Sequence, residues 1–164
     1  MQDEQHSQPF LSTLRALSAW GREFARLTDG IAERATSSFG DAIEFKIAIR
    51  RTPERCIIQV GPSALTVAFI RNRRDSAEGE LLVIYWRGTV APSVRSQPER
   101  AGQPALSAEA LAESVYVAEA TSEADWMWRS REEPMKNYTS VSLADVIVDR
   151  LRTIHHTAGN GLTA

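Results

Sequence analysis

Residues 42–87 read AIEFKIAIRRTPERCIIQVGPSALTVAFIRNRRDSAEGELLVIYWR, and their period decides the fold. In 42–51, Ile43, Phe45, Ile47 and Ile49 alternate with Glu44, Lys46, Ala48 and Arg50. Strict alternation predicts a strand with one buried and one solvated face. Thr52-Pro53-Glu54-Arg55 reads as a turn, 56–60 as a short apolar strand, and Gly61-Pro62-Ser63 as a break. In 64–71, Leu65, Val67 and Phe69 share a face, and 72–79 is a polar connection. The strand at 80–87 is apolar on both faces, with Leu81, Val83 and Tyr85 on one and Leu82, Ile84 and Trp86 on the other. Such a strand is central, or something covers its second face. Consecutive strands joined by short links predict antiparallel meander pairing.

Upstream, the period changes to that of a helix. Phe10, Leu14, Leu17, Phe24, Leu27, Ile31 and Ala35 recur at helical spacing, widened by Leu11, Trp20 and Ala32. Pro9 suits a first helical turn. Thr28-Asp29-Gly30 is a point where the helix would kink or end, because interior Gly disfavours helix. Downstream, residues 88–106 carry Gly88, Pro92, Pro98, Gly102 and Pro104 and almost no large apolar group, so a long mobile loop is expected there. The Ala- and Glu-rich 107–113 suggests a short helix and 114–120 a strand, with one continuous helix over 107–120 as the alternative. Residues 125–131 alternate as a strand with Trp126 and Trp128 on one face. A C-terminal helix follows, with Leu143, Val146, Ile147, Leu151 and Ile154 as its stripe and a capping-box spacing from Ser142 to Asp145.

The expected fold is α+β: an antiparallel sheet of about six strands, bracketed by a long N-terminal and a C-terminal helix packed on one face. The alternative is a curled, barrel-like sheet closed by the C-terminal helix. One domain is expected over 10–156, with a flexible leader at 1–9 and a flexible tail at 157–164; 164 residues suffice for one core.

Lys plus Arg number 19 and Asp plus Glu 21, a net charge of −2, which argues against a generic coater of DNA. The charge is unevenly spread: residues 50–100 carry +4, 101–164 carry −4 and 1–49 carry −2. Only Lys46 and Lys136 are lysine. The lone Cys56 excludes an intrachain disulfide and is read as a core residue. The N-terminus MQDEQHSQP does not read as a signal peptide, and no apolar run reaches the ~20 residues of a membrane helix. A cytoplasmic chain without membrane partners is expected.

No sequence signature of catalysis stands out: no phosphate-binding glycine loop, no zinc-protease helix, no nucleophile elbow. His6 lies in the leader, and His155 and His156 at a helix end, where cations complement the helix dipole. The acids Glu119, Glu123, Asp125, Glu132 and Glu133 cluster near turns, where solubility explains them. No catalytic, cofactor or metal residues are assigned. Two groups remain. Trp86, Trp126 and Trp128 form a candidate partner surface if they lie on the helix-free face, and belong to the core otherwise. Arg71, Arg73, Arg74 and Arg87 form a candidate anion or nucleic-acid contact at a hairpin tip.

The reading that follows is a non-catalytic protein-interaction or regulatory module, self-associating through the helix-free sheet face or the long helix. The alternatives are a small-ligand protein or modest enzyme with a pocket between sheet and helices, and a nucleic-acid binder using the Arg tip.

Overall fold

A computed structural model describes residues 9–39, 47–90 and 108–160, with side chains through residue 157. Seven strands lie side by side in chain order: β1 (Ile47–Thr52), β2 (Arg55–Val60), β3 (Ser63–Arg71), β4 (Gly79–Arg87), β5 (Glu109–Glu119), β6 (Met127–Ser130) and β7 (Asn137–Tyr138). Every neighbouring pair is antiparallel. Helices α1 (Leu14–Phe39) and α2 (Ser140–Asn160) pack on each other and on one face of the sheet. The fold is the expected α+β arrangement. The sheet is open, with β1 and β7 as its edges, so the barrel-like alternative falls.

Side-chain alternation builds the core. Cys56, Ile58 and Val60 on β2, Leu65, Val67 and Phe69 on β3, and Leu81, Val83 and Tyr85 on β4 all point toward the helices and are buried. From α1, Ala16, Trp20, Phe24, Leu27, Ile31, Ala35 and Phe39 meet them; from α2, Leu143, Ile147 and Leu151 do. Leu14, expected in the α1 stripe, is 80% exposed, whereas Trp20, expected only to widen it, is buried. A 3₁₀ turn at Pro9–Ser12 precedes α1, whose first turn is capped by Thr13: the N–H of Ala16 donates to its Oγ1 at 3.1 Å.

Several expectations are corrected. Helix α1 neither kinks nor ends at Thr28-Asp29-Gly30. The Thr28 hydroxyl donates to the Phe24 carbonyl at 3.0 Å, and Gly30 sits where α2 crosses. A Cβ there would lie 3.1 Å from that of Ala144, so the glycine serves the close helix contact. No helix forms at 108–113. Strand β5 begins at Glu109, because pairing with β4 outweighs the helix propensity of Ala and Glu. Strand β7 raises the count to seven. Helix α2 starts at Ser140, with Thr139 Oγ1 accepting the N–H of Ser142 at 3.1 Å, so the cap lies three residues before Ser142. Part of the expected strand at 42–51, most of the loop at 88–106, and residues 1–8 and 161–164 of the expected leader and tail lie outside the described residues; Pro9 opens the 3₁₀ turn, and 157–160, expected in the tail, belong to α2.

Cys56 sits in the core at 1% exposure. Burial pushes its thiol up to about 11; the Arg51 guanidinium offsets part of this and Asp29 adds to it. The thiolate is the reactive form. Cys56 is therefore expected to react with an aromatic disulfide reagent at pH 8 roughly a hundredfold or more slower in the folded chain than after unfolding in urea. Equal rates in both states would remove Cys56 from the core.

Candidate interaction surface

The helix-free face takes the other set of alternating residues. Register aligns them in cross-strand rows. One row runs Gln59, Ala64, Trp86, Ala110; the next runs Arg50, Ile57, Thr66, Ile84, Glu113; a third runs Thr52, Arg55, Ala68, Leu82, Val115. Further along lie Ile70, Val117 and Met127. Ile57, Leu82, Ile84, Trp86, Val115, Val117 and Met127 are half-buried and Ile70 is 56% exposed, with no helix above them among the described residues. The apolar second face of β4, legible in the sequence, thus continues across β2 to β6.

Trp86 is the centre of this face. Its indole N–H donates to Thr66 Oγ1 on β3 at 3.0 Å, so the ring reaches across the β3–β4 seam over small residues. Ala64 points the same way and is nonetheless fully buried. The tether satisfies the indole's polar atom while the ring stays half-buried on this face. Gln59, which sequence reading passed over, closes the end of the face. Its amide nitrogen donates to the carbonyls of Gly61 (2.8 Å), Ser63 (3.1 Å) and Gly88 (2.9 Å), and its Oε1 accepts the N–H of Val90 at 3.0 Å. These bonds clamp the β2–β3 turn to the exit of β4, where Gly61 and Gly88 hold positive φ of 53° and 102°.

Trp126 and Trp128 are corrected from candidate surface to core. Trp128 is 0% exposed and Trp126 5%. Their rings meet edge to face at 5.8 Å, and Trp128 meets Phe69 in the same way at 6.1 Å. Alternation placed both on one face; which face depended on where the helices docked.

The four arginines are not brought together. Arg71 packs its guanidinium over Trp20 at 4.2 Å and pairs with Glu54 at 3.4 Å. Arg73 and Arg74 are exposed on the β3–β4 connection. That connection docks on the chain's start: Ser76 Oγ and the N–H of Ala77 donate to the Leu11 carbonyl at 3.1 and 2.9 Å. Arg87 pairs with Glu109 at 3.6 Å at the other end of β4, about 27 Å away by strand rise.

The acids serve structure. Glu119 pairs with Arg129 (2.8 Å), Glu123 with Arg22 (3.2 Å), and Glu133 with Lys136 (2.7 Å). The Asp125 carboxylate accepts bonds from the Thr121 hydroxyl and from the N–H groups of Thr121 and Ser122, which hold its pKa below the usual range. His155 Nδ1 lies 2.9 Å from Ser63 Oγ and its ring meets Phe39, while His156 is exposed. Burial, then His156, lowers the His155 pKa. Among the described residues no group of three or more metal-ligating side chains occurs, and no helix is long and apolar enough to cross a membrane.

A cleft of about 460 Å³ opens between α1, the turn at 123–125 and the start of α2, rather than between sheet and helices. Its charges satisfy one another: Arg22 with Glu123, Arg26 with Glu23 (2.8 Å), and the Ser140 hydroxyl donating to Glu23 at 2.6 Å. The chain matches no family model, no curated protein and no solved structure.

Proposed function

We propose that this chain is a non-catalytic protein-interaction module whose working surface is the helix-free face of its sheet. The observation that carries the reading is the apolar field formed by Ile57 on β2, Leu82, Ile84 and Trp86 on β4, and Val115 and Val117 on β5, with the small side chains Ala64, Thr66 and Ala68 of β3 between them. Antiparallel sheets with one face in water normally alternate apolar with polar residues. An exposed apolar patch of several hundred Å² on a folded protein marks a surface that something covers. Among the described residues, the acids Glu23, Glu119, Glu123 and Glu133 are engaged in ion pairs and Asp125 in a turn.

The test is a photo-crosslinking residue placed at Ile70, exposed on this face, and at Glu33, exposed on α1, in the full chain inside cells. Position 70 is expected to yield a defined polypeptide adduct and position 33 none. No polypeptide adduct from position 70, or the same adducts from both positions, would overturn the reading.

A further inference from the structure

We infer that the occupant of the helix-free face is a second copy of this chain, packed sheet to sheet about a two-fold axis that runs along the β3–β4 seam. The inference rests on the interaction reading and names its partner.

Charge placement argues for a copy. Glu80 and Arg129 on this face already pair within the chain, with Arg131 and Glu119. Arg50 and Arg55 on the β1–β2 side, and Glu113 on β5, form no ion pair among the described residues. The face is therefore positive at one side, negative at the other and apolar between. A surface of that kind is self-complementary about a two-fold, which brings opposite sides together. An axis on the β3–β4 seam sets β2 of one copy over β5 of the other, so Arg55 faces the strand that carries Glu113. Within one chain those strands are three spacings apart, about 14 Å, too far for a direct pair.

Shape agrees. The Trp86 indole spans the same seam, so the axis brings the two indoles together, where offset stacking is favoured. Ala64, Thr66 and Ala68 on β3 leave the adjoining surface low opposite Leu82 and Ile84 on β4. Sheets pack face to face with strands aligned to within about 30°, about 10 Å apart. Five strands about 4.8 Å apart and about eight residues long present roughly 650 Å² in projection. A specific interface uses about 800 Å² of accessible surface per partner, which a corrugated face of that projection supplies.

The experiment is sedimentation equilibrium of the purified full chain over roughly 1–200 µM, the range in which weak interfaces dissociate. It is run on the native chain, Trp86→Ala, Arg55→Glu, Glu113→Arg and the double reversal, each checked for native circular dichroism. The native chain is expected at twice 18.2 kDa. Trp86→Ala is expected to shift it toward monomer. Each charge reversal is expected to raise the dissociation constant about tenfold, since a two-fold counts every contact twice, and the double reversal to restore it. The reversals keep the apolar face, so they read the contact between copies even if Trp86→Ala fails to fold. A monomer throughout, or a dimer indifferent to all four variants, overturns the inference. So does a double reversal no better than the singles. A monomer that still crosslinks a different polypeptide from position 70 overturns the second copy and leaves the interaction reading standing; no polypeptide adduct at all overturns both.

Discussion

Trp128→Ala is expected to cost the fold about 3–5 kcal/mol, the range for emptying a large aromatic site in a core. Trp128 is the largest fully buried side chain among the described residues. It comes from β6, a strand of four residues near the sheet edge, yet it reaches all three layers of contact. Its ring meets Trp126 and Phe69. Its Nε1 donates to Ser140 Oγ at 3.0 Å, and Ser140 in turn donates to Glu23 on α1 at 2.6 Å. One side chain thus links β6, the first residue of α2 and the middle of α1. Truncation leaves a cavity and removes the indole N–H that donates to the Ser140 hydroxyl, whereas Trp128→Phe keeps most of the volume and loses the hydrogen bond, at about 1 kcal/mol plus packing. Urea unfolding followed by circular dichroism checks both, with the slope against denaturant held constant. A cost below about 1 kcal/mol for Trp128→Ala would mean the site collapses freely and does not join the layers.

Gly79→Ala is the second large effect, expected at about 3 kcal/mol, the upper end for forcing atoms into a filled site. Gly79 opens β4 opposite Arg71. A Cβ would stand 2.3 Å from the Ile70 carbonyl oxygen, 2.9 Å from Arg71 Cα and 2.9 Å from the Phe69 ring. Two of these are backbone atoms of the paired strand, so relief requires breaking the start of the β3–β4 ladder. Gly21→Ala is the matched comparison. Nothing lies within 4 Å of its added methyl group, and the site is in the helical interior of α1. Ala there is expected to stabilise by about 1 kcal/mol. The same chemical change therefore carries opposite signs at the two positions, and urea midpoints measured side by side decide it. Equal shifts would contradict the strand contact at Gly79.

The strand boundaries were legible because each rests on local chemistry. Thr52-Pro53-Glu54 and Gly61-Pro62 punctuate the chain, and β2 and β3 begin within a residue of where those breaks place them, as β4 does after the polar connection at 72–79; the strand expected at 125–131 is shorter, because Glu123–Asp125 forms a 3₁₀ turn and β6 starts at Met127. The long helices were legible for the same reason. Residues 108–113 were not, since Ala and Glu favour a helix when alone and their strand exists only because β4 offers its edge. The two-residue β7 carries no periodicity to read.

The candidate surface divides the same way. That β4 is apolar on both faces is a property of the sequence, because alternation is fixed by strand geometry and each side chain is known. So is the shared face of Trp126 and Trp128. Which of those faces meets the helices is not local, because a strand pattern has no label for the layer above it. Helices α1 and α2 come from the two ends of the described chain and dock on one side, which turns Trp126 and Trp128 into core and leaves Trp86 outside. The scattering of Arg71 and Arg87 to opposite ends of a hairpin, and the joining of Gln59 to Gly88 across 29 residues, are likewise consequences of register. The residues alone determined both long helices, the strands β1 to β4 and β6, their order, and the amphipathic character of each. Docking of the helices decided which apolar face was buried and which stayed uncovered among the described residues, since that choice is made by packing between segments far apart in the chain.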